Sequence, residues 1–97
     1  MHRRAPEVDG DLDDIVMGIA ERGGSFEAAE RLVSGIVQRF NLLGDYPHMG
    51  RSRDHDPGEG RRSLAVGEYV IIYRIEDGEV LILRVLHDRR DLEALFD

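Results

Sequence analysis

An α+β fold is predicted by three observations: two amphipathic helical stretches four residues apart, an arginine-rich polar loop, and a meander of three antiparallel strands near the C-terminus. The meander is the sharpest of these. Between Arg62 and Leu92, three short apolar runs are joined by two tight turn signals, Gly67-Glu68 and Asp77-Gly78. An Asp-Gly pair between apolar runs favours a hairpin because glycine accepts the positive φ of a primed turn.

The remaining elements follow in order. Residues 2–5 form a short first strand. Asp9 reads as a helix N-cap, with Asp11, Asp13 and Asp14 near the positive end of the helix dipole. Leu12, Ile15, Val16 and Ile19 fall on one helical face, and Gly23-Gly24 ends the helix. Ser25 caps a second helix, in which Ala29, Leu32, Val33, Ile36, Val37, Phe40 and Leu43 repeat at helical spacing. The four-residue break makes the two helices an antiparallel hairpin. Pro47 and Gly50 close it. A polar loop runs from Arg51 to Arg61, with Pro57, Gly58 and Gly60 inside it, and a short segment follows the meander.

Treating Asp77-Gly78 as a two-residue turn sets Ile75 opposite Val80, Tyr73 opposite Ile82 and Ile71 opposite Arg84. Side chains alternate between faces. One face then carries Val70, Ile72, Leu81, Leu83 and Val85, and the helical hairpin is expected to pack there. The expected core is Leu12, Ile15, Ile19, Leu32, Ile36, Val70, Ile72, Leu83 and Val85. The other face carries Leu64, Tyr69, Ile71, Tyr73, Ile75, Ile82 and Leu86, with Arg62 and Arg84. It is too apolar to stand in water alone. Its cover is either a partner or residues 88–97 folded back through Leu92, Leu95 and Phe96.

Ninety-seven residues fit a single domain over 1–97. No apolar run approaches the ~18 residues of a membrane-spanning helix. No apolar signal core follows the basic start, so a cytoplasmic protein with no membrane association is expected. The absence of cysteine excludes disulfides and thiolate chemistry. A net charge of -7 disfavours direct nucleic-acid binding. All thirteen basic residues are arginine, four of them between Arg51 and Arg62. Genomic composition accounts for such a bias, as does selection for forked donors that suit carboxylate or phosphate.

Other constellations carry less. Asp54-His55-Asp56, with His48, has metal-ligand types without the spacing of a known site. The run from Asp9 to Asp13 begins like a calcium loop but has Asp14 where glycine is needed and Ala20 where glutamate is needed. Gly58-Glu59-Gly60 follows no strand and opens no helix, so it is no dinucleotide fingerprint. No metal and no cofactor are expected. Arg62, Tyr73 and Arg84 share one face in the expected register. Two guanidinium groups there can hold a phosphate while Tyr73 or His87 handles a proton. Against this stands an ion pair of Arg84 with a partner's carboxylate or with the chain's own. His87 titrates near neutral pH or merely closes its strand.

The order of elements, with particular residues, resembles the ParE branch of the RelE/ParE toxin superfamily of bacterial toxin–antitoxin modules. The matching pieces begin with Asp11-Leu12-Asp13-Asp14-Ile15 and Ala28-Ala29-Glu30-Arg31-Leu32. Leu43 with Pro47 and Gly50-Arg51-Ser52-Arg53 come next. Arg62-Ser63, Tyr69-Val70-Ile71-Ile72-Tyr73-Arg74, Ile82-Leu83-Arg84-Val85-Leu86-His87 and Arg89-Arg90-Asp91-Leu92 complete the set.

The resemblance implies a RelE/ParE-like domain, with the hairpin on a three- to four-stranded antiparallel sheet. It implies a toxin held inactive by a cognate antitoxin. ParE-type members stall DNA gyrase without catalysis of their own. RelE-type members cut messenger RNA on the ribosome, for which Arg62, Tyr73, Arg84 and His87 would be the catalytic set here. The chain departs from the nuclease pattern: no tyrosine follows His87, there is no lysine, and the net charge is acidic. The expected antitoxin-binding residues are Leu64, Tyr69, Ile71, Tyr73, Ile82, Arg84 and Leu86. The expected target-binding residues are Arg51, Arg53, Arg62, Arg89 and Arg90. A homo-oligomer and an inactive antitoxin-binding relative remain alternatives.

Overall fold

The computed structural model describes residues 1–52 and 60–88. β1 (His2–Arg4) leads into α1 (Glu7–Glu21) and α2 (Phe26–Asp45), followed by β2 (Arg51–Ser52), β3 (Arg62–Val66), β4 (Tyr69–Glu76) and β5 (Glu79–His87). The strands make one sheet in the order β1-β5-β4-β3-β2. This is five strands where three or four were expected, and β1 runs parallel to β5, His2 beside Val80 and Arg4 beside Ile82. A parallel pair needs a long connection, and the helical hairpin supplies part of it.

α1 starts earlier than Asp9. Pro6 takes the N-cap position at φ -56°, and no side chain caps the helix. Proline suits a helix start because its φ is already near helical and its missing N–H would be unbonded there. Asp9 instead lies in the first turn, 3.4 Å from the Arg4 guanidinium. Gly23 at φ 80° ends the hairpin's first arm, and Ser25 Oγ accepts from the Ala28 N–H at 3.0 Å to begin the second. The break is residues 22–25, as the sequence predicts.

β1 lies over α2. The His2 ring packs 5.8 Å from the Phe40 ring, and the Arg4 guanidinium sits 5.1 Å above it. Burial, then the Arg4 charge and the Met1 amino group, hold the His2 imidazole below its ordinary pKa. The folded state therefore prefers neutral His2. Its contribution is present above the ordinary histidine pKa and is lost as pH falls through the lowered value.

The β4–β5 turn has Asp77 at φ 52° and Gly78 at φ 80°, the primed geometry that an Asp-Gly pair favours. Glu76 and Glu79 face each other across it. Arg3 reaches both carboxylates, at 3.5 and 3.4 Å, and Arg74 also pairs with Glu76. These partly exposed pairs offset the like-charge repulsion more than they add stability.

The faces of the sheet are reversed from expectation. The hairpin packs on Tyr69, Ile71, Tyr73, Val80, Ile82 and Val85, burying Val8, Leu12, Ile15, Ile36, Phe40 and Leu43 against them. Ile19 and Leu32 join this core only in part. Val70, Ile72 and Leu86 form a second cluster on the opposite face, with Leu83 packed against it. Within β4 the helices simply take the face opposite to the expected one, and a β-bulge then changes which β5 residues share it. Tyr73 pairs with Ile82 and Ile75 with Val80 as expected, but Ile72 pairs with Arg84 and Ile71 with Val85, so the register skips Leu83. One extra residue in a strand inverts every side chain beyond it. Val85 thus turns to the helices. The expected fold-back of residues 88–97 lies outside the described residues, apart from Asp88 in the turn just after β5.

Candidate functional site

The residues expected to do chemistry are built into two structural joints. The first is centred on Tyr73, which β4 places beneath the turn that follows α2. Its side chain is fully buried. The hydroxyl donates to the Pro47 carbonyl at 2.8 Å and accepts from the Gly50 N–H at 2.9 Å. Arg62 on β3 completes the joint. Its Nε lies 3.4 Å from the Tyr73 hydroxyl, and Nη2 donates to the carbonyls of Gly50 at 2.6 Å and His48 at 3.1 Å. A turn with no regular ladder of its own thereby has its backbone groups satisfied, as buried polar groups must be.

Gly50 is required at this joint. A Cβ there would stand 2.5 Å from the Tyr73 hydroxyl and 2.7 Å from the Ser63 carbonyl oxygen. Gly50→Ala is expected to cost roughly 1–3 kcal/mol, because the backbone oxygen cannot yield as a flexible side chain would. Chemical denaturation measures this, and an unchanged midpoint would mean the turn is loosely held.

The second joint ties α1 to the bulge. Asp11, only 7% exposed, accepts from Arg84 Nε at 2.8 Å and Nη2 at 2.9 Å. It also accepts from the Val85 N–H at 2.9 Å. β1 leaves the sheet at Ala5, whose N–H donates to the Ile82 carbonyl. The next N–H of β5 on that side would otherwise face no strand, and the Asp11 carboxylate takes it. Arg84 therefore pairs with the chain's own carboxylate. His87 stacks edge-on against Tyr69, ring centroids 5.5 Å apart.

The family model for the ParE toxin of type II toxin–antitoxin system, parDE, matches residues 3–92. The chain belongs to the ParE toxin family. Toxin ParE3 of Caulobacter vibrioides is 34% identical over 91 residues, a match covering 94% of this chain and 89% of that protein. A solved structure described as the chromosomal ParDE TA system from P. aeruginosa shares the fold at a TM-score of 0.74 and 24% identity. That match covers 89% of this chain and 92% of that one.

Within this ParE fold the expected site residues do not share a surface. Tyr69, Ile71, Tyr73 and Ile82 lie beneath the helical hairpin, so these four are core rather than an open antitoxin face. Leu64 packs against the same core, while Leu86 belongs to the opposite cluster and Arg84 to the bulge joint. Their grouping assumed an unbroken register, which the bulge removes. The expected nuclease set is likewise divided: Arg62 and Tyr73 hold the turn, Arg84 holds α1, and His87 sits at the end of β5. Of the expected target-binding residues, Arg51 is exposed and Arg62 is half-buried at the joint. Arg53, Arg89 and Arg90 lie outside the described residues.

Two features escaped sequence reasoning. Asp11 was legible in principle, since Val8, Asp11, Leu12 and Ile15 form a single helical stripe and an acid within a buried stripe requires a partner. The other is a set of exposed apolar residues at and just after the end of α2, Leu42, Tyr46 and Met49.

Proposed function

We propose that this ParE-family chain is the toxin of a type II toxin–antitoxin module, that it acts in the cytoplasm by inhibiting DNA gyrase, and that a cognate antitoxin neutralises it. The observation that carries the gyrase reading over ribosome-dependent RNA cleavage is the engagement of the expected nuclease residues within the fold. A phenol with no solvent exposure cannot reach a ribose or a phosphate, and Tyr73 is such a phenol. Arg62 and Arg84 spend their forked donors on the chain's own carbonyls and carboxylate. Inhibition by binding needs none of these groups to be open.

The antitoxin, on this reading, docks on outer surfaces rather than on the sheet face under the helices. α1 presents Glu7, Asp13, Asp14 and Glu21 around an exposed Met17, with no basic residue in its last turn. A basic amphipathic segment that folds on binding complements this surface.

The test is direct. Purified protein added to gyrase and relaxed plasmid is expected to block supercoiling and accumulate cleaved DNA, while ribosome-bound messenger RNA stays intact. Cleaved messenger RNA with normal supercoiling would overturn the reading in favour of a nuclease. No effect in either assay would mark an inactive antitoxin-binding relative.

A further inference from the structure

The end of α2 offers a surface that the fold holds firmly yet does not bury. Leu42, Tyr46 and Met49 are 39%, 63% and 42% exposed. Leu42 and Tyr46 are one helical turn apart, and the Met49 N–H donates to the Tyr46 carbonyl at 3.0 Å. Tyr46 and Met49 line one shallow surface depression with Pro47 and His48, and Leu42 lies one helical turn before it. Beneath it the backbone is anchored by the Tyr73 and Arg62 hydrogen bonds to Pro47, His48 and Gly50. Holding a turn through its backbone while its large apolar side chains face solvent is the arrangement of a preorganised contact, which spares the ordering cost of binding.

The described residues that flank these three in sequence carry a small net positive charge, opposite in sign to the chain. Residues 38–52 contain Arg39, half-buried, and Arg51, exposed, and only one carboxylate, Asp45, in a protein of net charge -7. The outer face of α1 is acidic. Two surfaces of opposite sign suit two different partners, a basic one on α1 and an acidic one at the end of α2.

We propose that Leu42, Tyr46 and Met49 form the docking knob by which the toxin engages its target protein, inserting into an apolar pocket whose rim carries carboxylates facing Arg39 and Arg51. This rests on the reading of the chain as an active toxin, but not on gyrase being the target. Tyrosine at the centre of an interface, flanked by arginine, is the composition that dominates binding energy in protein complexes.

The experiment expresses the full chain with Tyr46→Ala, Met49→Ala or Arg39→Glu, with and without the antitoxin, and measures growth arrest, antitoxin affinity and thermal midpoint. Tyr46 and Met49 are exposed and Arg39 is half-buried, so the midpoint is expected to hold in the first two and to fall little in the third. Tyr46→Ala and Met49→Ala are each expected to raise the toxin level needed for arrest roughly tenfold or more, and Arg39→Glu to raise it by less, all with antitoxin affinity unchanged. Arrest at wild-type levels in Tyr46→Ala and Met49→Ala overturns the proposal. So does loss of antitoxin affinity in either, which would give the knob to the antitoxin. A wild-type chain that arrests nothing overturns it too. Normal supercoiling beside a Tyr46-dependent arrest sinks the gyrase reading alone and leaves the knob in place.

Discussion

Ile36→Ala is expected to destabilise the protein by roughly 2–5 kcal/mol, and Leu83→Ala by clearly less. Ile36 has no solvent exposure and lies in the cluster that joins the hairpin to Tyr69, Ile71, Tyr73 and Ile82. Removing its side chain loses the transfer energy of the buried carbons and leaves a cavity that close-packed neighbours cannot fill. Leu83 is the residue that the register skips, and it is only partly buried beside the smaller cluster of Val70, Ile72 and Leu86. Denaturant titration of both variants compares the two faces. A larger loss at Leu83 would show that the hairpin packs on the other face after all.

Asp11→Ala is expected to cost about 2–4 kcal/mol, more than a surface ion pair yields. The carboxylate is nearly buried and receives three hydrogen bonds, two from Arg84 and one from the Val85 N–H. Its loss leaves that N–H without its acceptor and takes a carboxylate from a half-exposed guanidinium. Arg84→Met leaves the carboxylate buried without its cation, so a loss of similar size is expected. The double variant Asp11→Leu with Arg84→Met is expected to recover part of both, since a buried pair is costly to break but less costly to replace. Losses that simply add in the double variant would show that the two side chains act independently. The same joint bears on function, because it sets where α1, the acidic face, sits relative to the sheet.

Much of the architecture is a matter of local chemistry and was readable residue by residue. Helical periodicity placed α2. Gly23 and Ser25 bounded the break, and Asp77-Gly78 with its positive φ values formed the expected primed turn. The family resemblance was legible for the same reason, since it rests on ordered short motifs along the chain, and the family match over residues 3–92 agrees with it. α1 was misplaced at its start because Pro6 and Asp9 are both credible openings by local rules, and only the backbone decides between them.

Which face of the sheet meets the helices lay beyond such rules. Residues 69–73 are apolar on both faces and all are buried, so alternation along β4 carries no information about direction. A second event equally hidden from the sequence is the skipped Leu83, a single-residue shift that redirects Val85 to the helices and groups Leu86 with Val70 and Ile72. The sequence alone determined both helices, the three-stranded meander, their order and the family, because propensity, capping and turn chemistry act over a few residues, whereas the short strand β2 was read as loop. The tertiary structure alone decided that Tyr73 and Arg62 brace a turn and that Arg84 answers Asp11, because those contacts join residues 11 to 73 positions apart and depend on the register of strands that only packing selects.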